Sequence, residues 1–417
     1  MTIAAAPIAA APARTGFARW EPLAASLCLA QFSEPLFAAI AQSQGLTEPP
    51  EYARIFFLPV YAFLIWVMWR DRTKALRSFA AAPLIAALLT LAFVSTLWSI
   101  DSGGTLRRSV WLAATMSFGL YLAWRYAWRD LVQVVAGGYV IMIAGSFATA
   151  LIAPSVGVMQ TEHVGAWSGL WTHKNMLGGI MALGVPIGVA AAIVGRPHRK
   201  LWIAVALGAF ALVLLSTSKT ALLASAIGLA VMGAGWFARR GPLQTIAMSA
   251  LACSVIVVGA SVALFDPDLM FAVLGRDASL TGRTDIWSAA APAVAAHPWL
   301  GYGYYVFWLP DTGPAYWVRQ AVQWQVQSAH SGWLELALGM GRVGVALFAL
   351  QLLATIARGT TALKDASAGL WAPAFVAAFA LYTVSESHVM QANDVFWTIY
   401  VAVAARLALD AHERRRA

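Results

Sequence analysis

The chain has 417 residues, of which 60% are hydrophobic and only 11% are charged. Soluble domains carry about 25% charged residues, so this composition excludes an ordinary soluble protein and, with apolar runs of about 20 residues, predicts a polytopic α-helical membrane protein. The net charge of +9 does not indicate nucleic-acid binding, because excess Lys and Arg in membrane proteins mark cytoplasmic loops. Cys28 and Cys253 lie in apolar runs and suggest neither a disulfide framework nor a metal site.

Taken in chain order, the apolar runs predict about twelve transmembrane helices. Residues 1–19, rich in Ala and Pro, predict a flexible cytoplasmic tail rather than a cleaved signal peptide, because many spans follow. Nine spans are predicted within 20–265, a large non-cytoplasmic loop with short helices over 266–332, three spans within 333–411 and a basic tail over 412–417. The spans are predicted at residues 20–41, 54–70, 79–98, 106–125, 130–153, 174–194, 201–217, 219–237, 243–265, 333–357, 369–388 and 394–411.

The distribution of basic residues supports this topology. With the N-terminus inside, most of the 28 Lys and Arg residues fall in segments predicted to be cytoplasmic, and the bias alternates from loop to loop. Both termini are therefore predicted to be cytoplasmic, with the large loop on the opposite side of the membrane.

Several basic residues run against that rule. Lys174 and Lys219 are predicted at the outer mouths of spans, and Arg276 and Arg283 lie in the large loop. Together they predict a cationic pocket at the outer membrane surface, suited to a phosphate or pyrophosphate group. The alternative is snorkelling, in which each charged tip simply reaches the membrane interface.

The run 167–178 leads into a predicted span and carries Thr172, His173, Lys174 and Asn175. Thr172 or Asn175 is suited to capping the helix, whose first N–H groups would add positive potential. A lysine at a helix N-terminus is unfavourable unless an anion is present. This favours an anion-binding role over the alternative, an ordinary capped helix start in a Trp-rich interface.

Two further segments offer groups for an anionic ligand. Ser-Thr-Ser-Lys-Thr-Ala at 216–221 presents hydroxyls and an ammonium, although a tight turn between helices explains it nearly as well. Further on, an amphipathic helix is predicted from Ile286 to Val294, with Arg283 near its start. The planar guanidinium of Arg283 matches phosphate, and pairing with Asp285 or another carboxylate is the alternative.

His330 stands just before a predicted span, in Ser-Ala-His-Ser-Gly-Trp-Leu-Glu at 328–335. A histidine is suited to taking a proton from an attacking hydroxyl near neutral pH, although a lone interfacial histidine is more often structural. Glu386 and His388 lie near the end of another span, where ionisable groups tend to mark function. Glu386 is predicted to be a counter-charge for one of the outer cations.

Four segments in this order resemble the O-antigen ligase and polymerase superfamily of bacterial envelope glycosyltransferases. They are Gly-x-x-Thr-His-Lys-Asn-x-x-Gly at 169–178, Ser-x-Ser-Lys-Thr-Ala at 216–221, Gly-Arg-x-x-x-Trp…His-Pro-x-x-Gly-x-Gly at 282–303 and Ala-His-Ser-x-x-Leu-Glu at 329–335. The His-Lys-Asn form resembles the exopolysaccharide polymerases found with succinoglycan-type synthesis. The resemblance covers about residues 160–400.

The resemblance implies a GT-C-like enzyme of the bacterial inner membrane, with its active site facing the periplasm. Such enzymes transfer a glycan from a polyprenyl-pyrophosphate carrier to a hydroxyl of an acceptor glycan, without nucleotide sugar, metal or other cofactor. By resemblance, Arg283 and His330 are the predicted catalytic residues. Aromatic faces that suit sugar rings complete the predicted pyrophosphate- and glycan-binding set, which is Lys174, Lys219, His173, Asn175, Arg276, Glu386, Trp299 and Tyr302.

Two positions depart from the family pattern. Lys219 stands where members often have arginine, which keeps the charge but loses bidentate geometry. The common His-Asn-Ser is here His330-Ser331-Gly332, so a polar neighbour of the histidine is missing.

Two alternatives remain at this level. A ligase would move finished polymer to lipid A core or to a protein, and the sequence alone does not separate it from a polymerase. A secondary transporter with about twelve spans is disfavoured, because the chain shows no internal repeat and its polar features gather at one face. The predicted partners are the lipid-linked donor, the acceptor glycan and the bilayer, with a flippase and chain-length or export proteins as further candidates.

Overall fold

The computed structural model describes residues 16–35, 37, 40–41, 55–248, 282–309, 312–362 and 368–416. Within these ranges the chain is helical, and the extended structure is limited to an isolated antiparallel bridge between Val158 and Trp167. The helices are α1 (Gly16–Gln31), α2 (Leu58–Arg70), α3 (Arg72–Ala81), α4 (Pro83–Val94), α5 (Ser102–Arg125), α6 (Trp128–Ile152), α7 (Pro154–Gly157), α8 (Lys174–Val194), α9 (Arg199–Leu215), α10 (Lys219–Ala238), α11 (Arg283–Ala296), α12 (Pro314–Val322), α13 (Gly332–Ala362), α14 (Ala368–Ser385) and α15 (Val395–Arg416).

Six helical segments in the described part of the chain are long and apolar enough to cross a membrane. They are Trp128–Ile152, Lys174–Val194, Arg196–Leu215, Lys219–Ala238, Gly332–Ala362 and Val395–Arg415. The predicted all-α, multi-pass membrane architecture is confirmed to this extent. The count of twelve spans and the GT-C-like arrangement stay predictions, and the span expected at 243–265 lies largely outside the described residues.

One further span is formed only if α3 and α4 count together, and these helices meet at 95°. The bend has a local cause, because Ala82 precedes Pro83 and a residue before proline is pushed out of the helical region. Ala82 adopts φ −120° and ψ 61°, so α3 stops before it and α4 starts at Pro83. The span expected over 79–98 therefore begins at Pro83, after a sharp turn.

Helix α8 lies at the centre of the bundle, where it packs against α6, α9, α10 and α14. Its small residues permit this, because close helix contact in a membrane needs side chains that let the backbones approach. A Cβ atom at Gly188 would lie 2.6 Å from the Ala206 nitrogen, and one at Gly184 would lie 2.6 Å from the ring of Tyr139. The middle of α8, the helix that begins at Lys174, is therefore packed closely against its neighbours.

Helix α13 is broken at Gly341, where φ is 60° and ψ is −161°. Backbone groups freed by a break in a membrane helix must be satisfied by protein, since lipid offers no hydrogen bonds. The loop segment 298–303 supplies the partners. Its bonds with α13 run from Tyr302 N to Leu338 O at 2.8 Å, from Gly303 N to Gly339 O at 2.9 Å and from Arg342 N to Pro298 O at 2.9 Å.

The described part of the large loop has a small hydrophobic core of its own. The predicted helix is present as α11, and it buries Ile286, Ala290 and Ala293. These side chains share a cluster with residues from α12, the rest of the loop and α13, which are Tyr302, Phe307, Trp308, Ala315, Val318, Val326, Ala329 and Leu338. Because Ala329 belongs to this core, the core sets the position of the histidine that follows it.

Candidate functional site

A polar cavity of about 620 Å³ opens where the loop meets α5, α8 and the segment between α14 and α15. Ligand sites are typically about 300–1,000 Å³, with a few polar groups placed to fix the ligand. The ionisable and amide side chains that line this cavity include Arg108, His330, Glu335, Glu386, His388 and Asn393. Such a mixture of charged and amide groups suits a ligand that is rich in hydroxyls.

Glu386 joins the two predicted catalytic residues. Arg283 Nη2 lies 2.7 Å from Glu386 Oε1, and His330 Nδ1 lies 3.5 Å from Glu386 Oε2. Arg283 and Glu386 are largely buried, with 12% and 20% of their side chains exposed. Glu386 is thus the counter-charge of Arg283, one of the cations for which the sequence predicted such a partner.

Glu386 is ionised at neutral pH. It follows directly after α14, and its backbone N–H donates to Tyr382 O at 2.8 Å. Burial by itself raises the pKa of Glu386, but the hydrogen bond with His330 and the charge of Arg283 outweigh burial. These contacts, with a further contribution from His388, lower the pKa from 4.5 to about 2. The site thus contains a fixed negative charge between an arginine and a histidine.

His330 is held in an unfavourable backbone conformation by the buried carboxylate of Glu335. Its φ is 48°, in the left-handed region that few non-glycine residues adopt. The preceding residue, Ala329, donates its N–H to Glu335 Oε1 at 2.5 Å. Glu335 also accepts from Trp308 Nε1 at 3.1 Å and from Ser387 Oγ at 3.2 Å. One carboxylate therefore ties the histidine loop to the segment that follows α14.

Left-handed residues gather at this cavity. Tyr305, His330 and Asn393 have φ values of 53°, 48° and 58°, and all of them line it. Each such residue costs about 1–3 kcal/mol and persists only where its surroundings over-determine the conformation, which is common at functional sites. The hydroxyl of Tyr305 donates to Ser387 O at 2.8 Å and Val389 O at 2.9 Å, which fixes the opposite wall.

The first two sequence motifs form one unit. Lys174 Nζ donates to Thr217 Oγ1 at 3.3 Å, and Lys174 lies close enough to Lys219 for the two charges to repel. Gly178 allows the contact, because a Cβ atom there would lie 2.7 Å from Ser216 Oγ. Two ammonium groups are thereby brought close together. An anion bound between them would relieve their repulsion.

This cationic unit lies beside the cavity. Met176, two residues after Lys174, is part of the cavity lining. Burial and the neighbouring His163 lower the pKa of His173, and the negative charge of Glu386 acts in the opposite direction. The lysine-bearing segment therefore adjoins the cavity through Met176, while the lysines themselves do not line it.

Two comparisons with known proteins give a match for this chain. A family model described as O-antigen ligase matches residues 204–349. The chain is 26% identical over 318 residues to the exopolysaccharide production protein ExoQ of Rhizobium meliloti (strain 1021), an alignment that covers 72% of this chain and 70% of that protein. The resemblance to the O-antigen ligase and polymerase superfamily is confirmed.

The O-antigen ligase match includes the segments 216–221, 282–303 and 329–335. The motif at 169–178 and the residue Glu386 lie outside it, yet they meet the matched segments in space. The ligase-like region therefore depends on neighbouring helices to complete its site.

His173, and not Thr172 or Asn175, caps the helix that carries the His-Lys-Asn motif. His173 has an extended backbone, with φ −135° and ψ 140°, so its ring can turn back over the first turn. Its Nδ1 accepts the Asn175 N–H at 3.2 Å. The expected cap was wrong because Asn175 already lies inside the helix, where its own N–H needs a partner.

Trp299 and Tyr302 do not line the cavity. Tyr302 is buried in the loop core and donates its hydroxyl to Ala293 O at 3.0 Å. Trp299 is exposed, with the Arg342 guanidinium 5.2 Å above its ring. Trp299 and Tyr302 both belong to segment 298–303, which pairs with the broken part of α13. This close backbone contact accounts for the glycines of the segment, and no bound sugar is needed to explain them. Arg276 lies outside the described residues.

The predicted site set lacked Arg108, Glu335 and His388, which line the cavity, and Asp394, which contacts His388; of these, only His388 was singled out by the sequence. Glu335, His388 and Asp394 are buried, and the Nε atom of Arg108 is buried without a hydrogen-bond partner among the described residues. For Arg108 a signal existed, because a basic residue on the predicted outer side breaks the positive-inside rule. His388 and Asp394 are six residues apart within a loop. This separation matches neither helical nor strand periodicity, so no sequence pattern pairs them.

Proposed function

We propose that this protein is a membrane glycosyltransferase that moves a glycan from a polyprenyl-pyrophosphate carrier to a hydroxyl of an acceptor glycan. We place the reaction at the periplasmic face of the bacterial inner membrane, where it polymerises repeat units. The observation that carries the proposal is the Arg283–Glu386–His330 group, assembled at a polar cavity where apolar helices end.

The donor side consists of cations. When the glycosidic bond to pyrophosphate breaks, negative charge grows on the phosphate oxygens, and fixed positive charges stabilise it. Arg283 has five N–H donors in a planar fork, so one contact with Glu386 leaves donors for phosphate oxygens. Lys174 and Lys219 add charge next to it. The prenyl chain would lie along the apolar helices.

The acceptor side is the hydroxyl-binding cavity. A sugar hydroxyl of the acceptor attacks the anomeric carbon of the donor, so a carbon–oxygen bond forms while the bond to pyrophosphate breaks. The electron pair of the broken bond stays on the pyrophosphate, and the hydroxyl loses its proton. His330 lines the cavity and takes part in this step, either as the base or by orienting one of the two reacting sugars.

Polymerisation is favoured over ligation by the similarity to a protein named for exopolysaccharide production. The two reactions share their donor chemistry and differ in acceptor. The products distinguish them, because a polymerase yields a ladder of repeat units from the lipid-linked oligosaccharide alone. A ligase yields a single transfer, and only when lipid A core or a protein acceptor is added.

The test uses purified full-length protein in detergent with a lipid-pyrophosphate-linked oligosaccharide and no ion gradient. We expect elongation by the wild type and its loss in Arg283→Ala and His330→Ala. Arg196→Ala and His198→Ala are matched controls, because both side chains are exposed near the opposite end of α8. Elongation at the wild-type rate by Arg283→Ala and His330→Ala would overturn the proposal. Dependence on an imposed gradient would favour a transporter.

A further inference from the structure

A second histidine with its own carboxylate lies in the same cavity. His388 Nδ1 is 2.9 Å from Asp394 Oδ2, and both side chains are buried. The imidazole stacks on the ring of Phe396 with 3.8 Å between centroids. His388 and Gln391 both line the cavity. The ring is thus fixed in position and in orientation.

Asp394 is itself fixed by the start of α15. Its Oδ1 accepts the Trp397 N–H at 2.7 Å, and its carbonyl accepts the Thr398 N–H at 3.0 Å. The carboxylate therefore caps the helix with one oxygen and faces His388 with the other. A carboxylate at Nδ1 holds an imidazole in the tautomer whose Nε2 is basic, and it stabilises the imidazolium that forms when Nε2 takes a proton.

His330 lies in a different electrostatic setting. It is 37% exposed, and its contact with Glu386 is longer, at 3.5 Å. The same carboxylate is committed to Arg283 at 2.7 Å. His330 therefore shares the Glu386 carboxylate with Arg283, a permanent cation on the donor side. His388 instead contacts a buried aspartate, for which no other cationic contact is seen among the described residues.

We propose that His388, oriented by Asp394, is the base that takes the proton from the acceptor hydroxyl. His330 then belongs with Arg283 on the donor side, where it binds or orients the pyrophosphate-linked sugar. In the step, the proton moves from the hydroxyl to His388 Nε2 as the new glycosidic bond forms. The electron pair of the broken bond leaves with the pyrophosphate. This assignment rests on the proposed transferase function.

The surroundings of His388 favour its protonated form after the step. Burial by itself lowers the pKa of His388, but the charge and hydrogen bond of Asp394 outweigh burial and raise the pKa above its usual range. The titratable and charged groups that face His388, flank its loop or share its cavity are Asp394, Glu386, Glu335, His330, Arg108, Tyr382 and Tyr305. Transfer should accordingly rise with pH as His388 loses its proton.

The experiment measures single-turnover transfer across pH, together with donor binding by the purified full-length protein, using a lipid-pyrophosphate oligosaccharide. Asp394→Asn keeps the size of the side chain but removes its charge. We expect the transfer rate to fall about 100-fold or more. Donor affinity should stay within about twofold. The acidic limb of the pH profile should move to lower pH in Asp394→Asn and disappear in His388→Gln.

Thr398→Val is the matched control for structural damage. It removes the hydroxyl bond to the Asp394 carbonyl in the same helix turn without touching the His388 contact. We expect its pH profile to be that of the wild type. Transfer and pH profiles unchanged in both Asp394→Asn and His388→Gln would overturn the inference while leaving the transferase intact. Failure of the wild type to transfer would instead reject the proposed function itself.

Discussion

Arg283 and Glu386 are 103 residues apart in sequence, yet Nη2 of the first and Oε1 of the second are 2.7 Å apart. The contact connects the first residue of α11, in the large loop, with the residue that follows α14. It therefore fixes the loop over the helix ends and places one guanidinium beside the cavity. Loss of this pair should affect the placement of the loop and the charge of the site together.

The first prediction concerns Glu386→Gln, which keeps the side-chain volume and removes the charge. Breaking a buried pair costs about 3–5 kcal/mol, and partial exposure here reduces that to about 2 kcal/mol. If this interaction energy is lost from the stabilisation of the transition state, transfer slows about 30-fold. Donor affinity should be retained, because Arg283 remains available for phosphate. Initial rates and donor binding measure the two effects.

Glu413→Gln is the matched control for that change. Glu413 is exposed on the last helix, where its carboxylate lies 3.9 Å from Arg406. Its substitution should leave transfer and donor binding at wild-type values. If Glu386→Gln also transferred at the wild-type rate, the Arg283–Glu386 contact would have no part in the reaction.

The second prediction follows from the low pKa of Glu386, about 2 in the folded protein against an ordinary 4.5. A group whose pKa is lowered by folding contributes its full stabilisation above the unfolded pKa and loses it as the pH falls through the folded pKa. The stability difference between wild type and Glu386→Gln should therefore be unchanged from about pH 8 to about pH 5 and shrink only below about pH 4.5. Denaturation of both proteins across pH measures it, and a difference that vanished near neutral pH would contradict the low pKa.

The sequence identified Arg283 and Glu386 because each breaks a rule that needs no tertiary structure. An arginine on the outer side opposes the positive-inside rule, and a carboxylate at the end of a span is costly unless paired. The sequence leaves two possible partners for Arg283, since Asp285 is nearer along the chain than Glu386. In a helix, however, residues two apart do not face each other, so Asp285 points away from Arg283.

Other features could not be predicted from local patterns. The apolar run of α13 is typical of a continuous span, because hydropathy does not register the left-handed backbone of Gly341. The contact of His388 with Asp394 depends on how the segment between α14 and α15 folds back on itself. Both features arise from tertiary packing, and both concern how backbone or side chains are held at the cavity.

The third prediction concerns that break in α13. In Gly341→Ala the new methyl group would meet the Trp299 carbonyl carbon, at 2.2 Å from the position of the Cβ atom. The backbone conformation at Gly341, with φ 60° and ψ −161°, is essentially restricted to glycine and adds a penalty of about 1–3 kcal/mol for alanine. We expect a lower melting temperature and slower transfer, because segment 298–303 must shift and it adjoins the cavity wall. Thermal unfolding in detergent and initial rates measure both.

Gly233→Ala serves as the control for a glycine in a membrane helix. Gly233 lies within α10, and a Cβ atom there would meet nothing within 4 Å. Since alanine forms helices better than glycine, the melting temperature of the Gly233→Ala protein should stay the same or rise. Equal effects of the two substitutions would show that the break at Gly341 is not specifically required.

The last prediction concerns the two lysines that begin α8 and α10, Lys174 and Lys219. Because Lys174 and Lys219 lie near each other, removing one should weaken binding of the pyrophosphate-linked donor by about tenfold at low salt, and less at high salt, where exposed charges are screened. Lys219→Arg keeps the charge and adds a planar fork, so donor affinity should be retained or improved. Lys200→Ala, on the exposed start of α9, should leave donor affinity unchanged. Donor binding titrated at two salt concentrations measures all three, and a Lys174→Ala protein with wild-type affinity at both would exclude the lysine pair from the donor site.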